Sequence, residues 1–562
     1  LTLDELTALH ADFRKDYAEY SDAAIVVVGR PGSEAGNGYY PGKDGLAEGV
    51  STVTGNILSL SDEEMAMINE AKANFDKVIV LVNATNPMEI ANLKDDPDID
   101  AIVWIGFPGA YGFYGVADVL NGTVSPSAHL GDVMAKNSAL APAMANYGNI
   151  PWTNAADFAA DANVNSYLIE AEGIYAGYRY YETRYADIVL GNGGAEAKAG
   201  TYANADGTVA TEDGTWNYAN EVVYPFGYGL SYTTFEQTLD SVTIADDKKT
   251  ATVTVTVKNT GDVAGKSVVE VYASVPYTDY DRQNGVEKAA VQLMDFEKSS
   301  TLQPGASQTI TMKVDLANLA SYDANGAKTY IVDPGDYYFA IGTDAHDALN
   351  NVLAAQGKTV ADGMTADGDA GFVATYTPAN GTVDTTTYKN DTTTGVEVTN
   401  QLDQANGGFQ YLSRNDWTGT WPTTDGEVSD QISTWGNPIN GTDANGNPAS
   451  YTYYKTISSE DLAKLDSFDS LNTTDPSTLT DEIVYGKDNG LGLIDMRGLD
   501  YNDPKWNDLL DQLTPSDYQT LITQSGYGTA AIKSVDKLST TDRDAATGLV
   551  NYGVDASGNF YF

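Results

Sequence analysis

The sequence has no cysteine. Disulfides, thiol nucleophiles and cysteine-ligated zinc are therefore excluded, although the compartment is not fixed by this absence. Histidine is nearly absent too. His10, His129 and His346 stand far apart, which gives little support to a histidine metal site or a Ser-His-Asp triad. Basic residues are scarce, 31 against 79 acidic ones, for a net charge of −48. Phosphate binding is driven by Lys and Arg, so neither a nucleic acid nor an anionic membrane is an expected partner. A neutral polar substrate such as a sugar suits this charge. No run of 18 apolar residues occurs, and no transmembrane helix is expected. No GxGxxG follows the first strand, so a dinucleotide-binding fold fits badly. No cofactor is implied. The chain opens at Leu1 without Met or a signal peptide, and it reads as a piece of something longer.

What is present is enough for several cores. With 562 residues, 42% of them hydrophobic, three or four domains are expected. Residues 1–190 alternate strand and helix. Leu3–Tyr20 reads as a mostly polar helix and Ile25–Val28 as a buried strand. Ser61-Asp-Glu-Glu64 is a capping box, followed by the apolar stripe Met65, Ile68 and Phe75. Val78–Val82 and Ile102–Ile105 read as further strands, and Val116–Leu120 as a helix stopped by Gly122. This rhythm predicts a parallel sheet covered on both faces. Ligands of open α/β sheets bind beyond the carboxyl ends of the strands. The loop after Val28, Gly29 to Pro41, holds one carboxylate, Glu34, placed where a catalytic acid would stand.

Residues 165–235 are aromatic, in two clusters, Glu172–Thr183 and Tyr224–Tyr232. Gly and Pro among the rings argue against a regular helix in either. A packed lid or domain junction is the plain reading, and stacking on sugar faces the functional one. The period then changes to two. Thr252–Val257, Thr309–Val314 and Tyr337–Ile341 alternate, with turn signals at Asn259-Thr-Gly261, Pro304-Gly305 and Pro334-Gly335. About seven such strands suggest a β-sandwich. Residues 356–480, rich in Gly, Thr, Asp and Asn, read as a long irregular connection with ordered islands such as Tyr411–Trp421. Within it Asp443–Asn447 faintly resembles a calcium loop but lacks the bidentate Glu and reads as a turn. Residues 500–562 turn helical again. Asp503-Pro-Lys-Trp506 leads into Leu509–Leu513, and Thr514-Pro-Ser-Asp517 starts a second helix with Pro at its first position.

Several segments, in order, resemble glycoside hydrolase family 3, the β-glucosidase and β-xylosidase family. Tyr224-Pro-Phe-Gly-Tyr-Gly-Leu-Ser-Tyr-Thr-Thr-Phe235 is similar to the family's junction between an α/β sandwich and a fibronectin type III-like domain. Glu172–Tyr181 and Ala117–Ser127 resemble two of its upstream segments. Gly29-Arg-Pro-Gly-Ser-Glu34 resembles its acid/base loop. Leu499–Trp506, Leu510–Thr514 and Thr541–Leu549 are similar to the opening of its (β/α)8 barrel, which here comes last, as in a reversed-order branch.

The resemblance implies four regions: an α/β sandwich with a mostly parallel sheet over 1–235, a fibronectin type III-like β-sandwich over 236–355, an irregular connection over 356–498, and the start of a TIM barrel over 499–562. It implies Glu34 as the acid/base of a retaining exo-acting β-glycosidase. Asp544 would be a substrate-binding residue, although Ala545-Ala546 replaces the family's Gly-Pro after that Asp. The nucleophile would lie deeper in the barrel, beyond Phe562, in the same polypeptide or a second chain. Arg30 would lower the pKa of Glu34 if the two paired. The expected ligand is a β-linked oligosaccharide or glycoside. A homo-oligomer and either side of a bacterial membrane are compatible with the sequence. The alternative is a non-catalytic scaffold that binds carbohydrate or a partner.

Overall fold

In a computed structural model, the structure describes residues 2–30, 58–143, 172–192 (without the side chains of 110 and 139), 216–379, 381–400, 411–417, 484–526 and 528–542, with scattered positions elsewhere. Two compact units emerge. One comprises Leu1–Phe107 and Tyr114–Thr456, the other Pro108–Phe113 and Ile457–Phe562.

In the first unit, Thr2 and Glu5 form a capping box for α1 (Leu3–Leu9). The helix ends at Leu9 and turns follow to residue 19, short of the expected Tyr20. It buries no residue, and a helix without an apolar face has little to hold it beyond its cap. Three parallel strands follow: β1 (Ala24–Gly29), β2 (Val78–Asn83) and β3 (Ala101–Trp104), in the order β1-β2-β3. The helix α2 (Asp62–Asn74) starts at Ser61, whose capping box with Glu64 forms as its sequence predicts. Val26 and Val28 pack with Ile68 and Ala71 of α2, alongside Val78, Val80 and Val82. Ile25 and Val27 are about half exposed. Burial on both faces is thus met by the central strand β2, while β1, at the edge, is covered on one face only. A third helix, α3 (Gly109–Leu120), begins seven residues before the expected Val116.

The second aromatic cluster behaves as its glycines suggest. The first does not. From Tyr178 to Leu190 it is a regular helix, α4. Gly173 and Gly177 lie before it and Gly191 caps its end, with φ of +58°, +55° and +75°. No Gly or Pro falls between 178 and 190, so the glycines bracket the helix rather than break it. Glu182, Thr183, Arg184 and Asp187 are buried in α4 along with its tyrosines.

Seven strands then build two facing sheets. One orders β6 (Phe235–Ile244), β7 (Thr250–Asn259) and β10 (Ser307–Asp315). The other orders β9 (Gln292–Lys298), β8 (Val268–Ser274), β11 (Tyr337–Gly342) and β12 (Val373–Tyr376). Their predecessors β4 (Met134–Ala135) and β5 (Val222–Tyr224) pair with each other. Alternate residues Val253, Val255 and Val257 meet Val269, Val271, Phe339 and Ile341 in the sandwich core, as the period-two pattern requires. Every residue of β8 is buried. Its outer face carries Glu270, Tyr272 and Ser274, and Tyr272 joins the core built around α4 and the helix α5 (Ala345–Ala355). The sandwich and the α/β layer therefore share a core on the outer side of β8.

In the second unit, α6 (Lys505–Leu510) and α7 (Pro515–Thr523) pack Leu509 and Leu513 with Met496, Ile532 and Val535. Thr514 caps α7 with Asp517 and Pro515 stands in its first turn, as expected. Glu34, Asp443–Asn447 and Asp544 lie outside the described residues.

Candidate active-site edge and domain junction

Parallel strands deliver their carboxyl ends to one edge. Here that edge is formed by Gly29, Asn83 and Trp104. The Arg30 amide donates to the Asn83 carbonyl at 3.1 Å, which carries β1 one residue further before the Glu34 segment. The Arg30 guanidinium, 7% exposed, grips Glu64 with two bonds of 2.5 and 2.8 Å and donates to the Ser59 carbonyl at 2.6 Å. Such a fork-to-fork pair is geometrically specific. Its effect is to fix the root of the loop against the first turn of α2. Asn83 Oδ1 is buried at this edge and has no hydrogen-bond partner among the described residues. Trp104 donates its indole N–H to the Ala84 carbonyl and is about a third exposed. The edge thus presents an amide and an aromatic face next to Arg30.

The second conspicuous region is the junction with the sandwich. The Tyr224–Phe235 segment runs along residues 128–130: Leu130 donates to the Tyr228 carbonyl and Gly227 to the Leu130 carbonyl. Gly227 has φ +85° and lies against the Glu270 carboxylate and the Tyr272 hydroxyl, with no room for a Cβ. Glu270 accepts from Tyr272 at 2.6 Å and stands 3.1 Å from His129 Nδ1. Ser125 and Ser231 are 2.8 Å apart, and the Ser125 hydroxyl accepts from the Tyr232 amide. Two of the segments that carry the resemblance, 117–127 and 224–235, therefore meet in space.

A third network surrounds Glu182. It accepts from Tyr218 at 2.5 Å, and its other oxygen is 2.7 Å from His346 Nδ1. His346 stacks on Tyr218 with centroids 3.8 Å apart. Burial pushes the Tyr218 phenol well above its usual range, with the Glu182 charge acting in the same sense. Asp344 caps α5, accepting from the Asp347 amide. Burial pushes its carboxyl up to about 6, against the opposing effect of that hydrogen bond. His129 and His346 are thus carboxylate partners. Among the described residues no group of three or more His, Asp or Glu could hold a metal ion.

Sequence reasoning missed Glu182, Asp187, Glu270 and Arg414 as buried groups. The signal available was local only for the first two: charges inside an otherwise aromatic helix.

A parallel sheet buttressed on a β-sandwich through a glycine-rich aromatic junction defines an α/β scaffold with an appended immunoglobulin-like layer. Comparison with known families gives it a name. Residues 8–232 match the glycosyl hydrolase family 3 C-terminal domain, and residues 267–345 match a fibronectin type III-like domain. Both regions are thus of the C-terminal type found in glycoside hydrolase family 3. A β-glucosidase of Ruminococcus albus is 32% identical over 342 residues, covering 59% of this chain and 28% of that protein. β-Glucosidase A of Butyrivibrio fibrisolvens is 30% identical over 367 residues, covering 60% of this chain and 38% of that protein. The chain therefore spans well under half the length of these relatives. A β-glucosidase structure from Paenibacillus barengoltzii shares the fold with a TM-score of 0.52 at 22% identity, over 94% of this chain and 46% of that one. No helix among the described residues is long and apolar enough to cross a membrane.

Proposed function

We propose that this chain is the acid/base-bearing portion of a retaining, exo-acting β-glycosidase that hydrolyses terminal β-linked sugars, β-glucosides before β-xylosides. The observation that carries this reading is the joint match of residues 8–232 and 267–345 to two family 3 domains, with relatives named β-glucosidase. It is supported by the direct run of β1 into the Gly29–Glu34 segment at the sheet's carboxyl edge.

In this reading Glu34 is the acid/base. Retaining hydrolysis needs two carboxyl groups about 5 Å apart, one to attack and one to protonate the leaving oxygen. Glu34 gives its proton to the departing sugar oxygen, then takes one from the water that releases the glycosyl group. Its pKa must be held up for the first step. The grip of Arg30 on Glu64 engages the neighbouring guanidinium with another carboxylate, which favours that requirement. The nucleophile comes from a (β/α)8 barrel, in a longer form of this polypeptide or in a second chain. Residues 499–562 are its opening and Asp544 a substrate contact. The division 1–235, 236–355, 356–498 and 499–562 follows from the same reading, with pairing of β12 carrying the sandwich's second sheet to Tyr376.

The test is Glu34→Ala in the complete enzyme. Hydrolysis of substrates with poor leaving groups should collapse, and azide should restore turnover of activated aryl β-glycosides, because a small anion replaces the missing base. Unchanged activity would reject Glu34. Collapse without azide rescue would leave the scaffold reading of these domains in its place.

A further inference from the structure

Three of the most deeply buried side chains of the first unit come from a stretch whose composition promised only a connection. They are Leu412, Arg414 and Trp417, each 1–3% exposed. Arg414 donates to both oxygens of Asp187 in α4, at 2.5 and 3.1 Å, and to the Lys288 carbonyl at 2.9 Å. Trp417 donates its indole N–H to the same carboxylate at 2.9 Å. Its ring lies against Tyr175 and Tyr180, with centroids 5.3 and 6.0 Å apart. Glu287 accepts the Ser413 hydroxyl at 2.6 Å and the Arg414 amide at 3.0 Å. The Arg414 guanidinium stacks over Tyr277 at 4.5 Å.

The backbone between the two anchors is bent to suit. The Trp417 amide donates to the Ser413 carbonyl at 2.8 Å and Trp417 takes φ +52°. This turn brings residues three apart onto one carboxylate. Gly194 leaves the room for it, since a Cβ there would stand 2.8 Å from the Asp416 carbonyl oxygen.

A stretch that only filled the core would do so more cheaply with aliphatic residues. A buried Arg–carboxylate pair is weak as a source of stability, because desolvation offsets attraction. Its strength is selectivity: an unpaired charge left behind is costly. An aromatic anchor in a pocket, a forked Arg on one carboxylate and a captured backbone amide are the features of a recognised peptide. Every receptor group comes from outside the stretch: Tyr175, Tyr180 and Asp187 at α4, and Tyr277, Glu287 and Lys288 between β8 and β9.

We propose that Ser413–Trp417 is a docking peptide, and that the groove between α4 and Glu287 is a recognition site for the pattern Ser-Arg-x-x-Trp. Docked there, it ties the stretch 411–417 to the α/β and fibronectin-like body. The proposal stands apart from any catalytic role.

The test uses the full chain with the site emptied by Arg414→Ala and Trp417→Ala together. A fluorescent synthetic peptide of residues 409–419 should bind this variant saturably. It should bind the unaltered chain, whose own segment fills the groove, at least tenfold more weakly. Adding Asp187→Asn to the emptied chain should cost at least tenfold in affinity. Absence of saturable binding to the folded variant, or equal binding by both chains, would overturn the proposal. Should the double variant fail to fold, the chain with Arg414→Ala alone gives a second measurement. It should prefer the native peptide to its Arg414→Ala form by at least tenfold, and equal binding of the two peptides, or none, would overturn the proposal equally.

Discussion

Gly227→Ala should destabilise the first unit by roughly 2–5 kcal/mol, and two separate costs make up that figure. At φ +85° an L side chain enters the left-handed region, a cost of about 1–2 kcal/mol. The new methyl group also meets the Glu270 carboxylate, with the Tyr272 hydroxyl 2.8 Å away. A flexible side chain would step aside, but Glu270 is 5% exposed and held between Tyr272 and His129. Moving it leaves a buried donor or acceptor unpaired, at about 1–3 kcal/mol. The first unit spans Leu1–Phe107 and Tyr114–Thr456, and at about 2.1 cal/mol/K of unfolding entropy per residue a body of that size loses roughly 1 °C of Tm per kcal/mol, so a fall of roughly 2–5 °C is expected by calorimetry. Gly131→Ala is the control. It lies three residues upstream of β4, with open space around it and no positive φ, and should stay within about 0.5 kcal/mol of the parent. If both variants melt together with the parent, the packing of Gly227 against Glu270 is not what holds the junction.

Asp344→Asn keeps a good N-cap residue while removing a titration. The folded carboxyl sits at about 6 and the unfolded one near 3.9. The folded state therefore holds its proton more tightly, and this group's stabilising contribution is lost as pH rises from about 4 to 6. Denaturant titrations should show the Asn variant gaining on the parent by up to about 3 kcal/mol across that window; a flat difference would contradict the assignment. Glu64→Ala strips Arg30 of its carboxylate in a nearly buried setting and should cost roughly 2–4 kcal/mol, with faster amide exchange at the start of α2; a loss under 0.5 kcal/mol would refute it. Thr514→Ala removes the cap and the capping box of α7 and should cost about 1 kcal/mol, read as faster exchange across 515–523 with the first unit unchanged.

The parts legible in the sequence were those whose cause is local. The valines of β7 alternate because one face meets the second sheet, and the turns at Pro304-Gly305 and Pro334-Gly335 separate neighbouring strands. The caps at Ser61 and Thr514 depend on four residues each. The failures are equally physical. Helix α1 was extended to Tyr20 because its residues favour helix, yet no apolar face reached a core. Gly173 and Gly177 argue against a helix over Glu172–Thr183, yet both stand before α4, which starts at Tyr178. The pairing of Arg414 with Asp187 spans 227 residues. Nothing within a window of sequence announces it, and a Gly- and Asp-rich neighbourhood argues for the opposite. Glu34 stands out by its place after β1 as well as by resemblance, Asp544 by resemblance alone, and the Glu34→Ala experiment and its counterpart at Asp544 test the two roles.

The buried charges of α4 explain why the α/β layer and the sandwich form one body. A helix facing a hydrophobic sheet would normally keep Glu, Arg and Asp on its wet side. Here only Arg179, in the first turn, is exposed. Glu182 meets Tyr218 and His346, Arg184 meets Tyr180 and the Ala195 carbonyl, and Asp187 meets Arg414 and Trp417. Thr183 accepts the Ala290 amide from the sandwich side. Apart from Tyr180 these partners lie outside α4, at Ala195, Tyr218, Ala290, His346 and the Arg414–Trp417 stretch, so the helix is satisfied only when all of them are in place. Separating the sandwich from the α/β layer would leave Glu182 without His346 and Thr183 without Ala290, and would expose Tyr272 on the outer face of β8. Cutting the body at the end of the aromatic junction, near Phe235, should therefore yield two pieces with unpaired buried charge rather than two stable domains. The glycines of the junction serve the same end, since they let Glu270 and Tyr272 approach the backbone closely enough to close the seam.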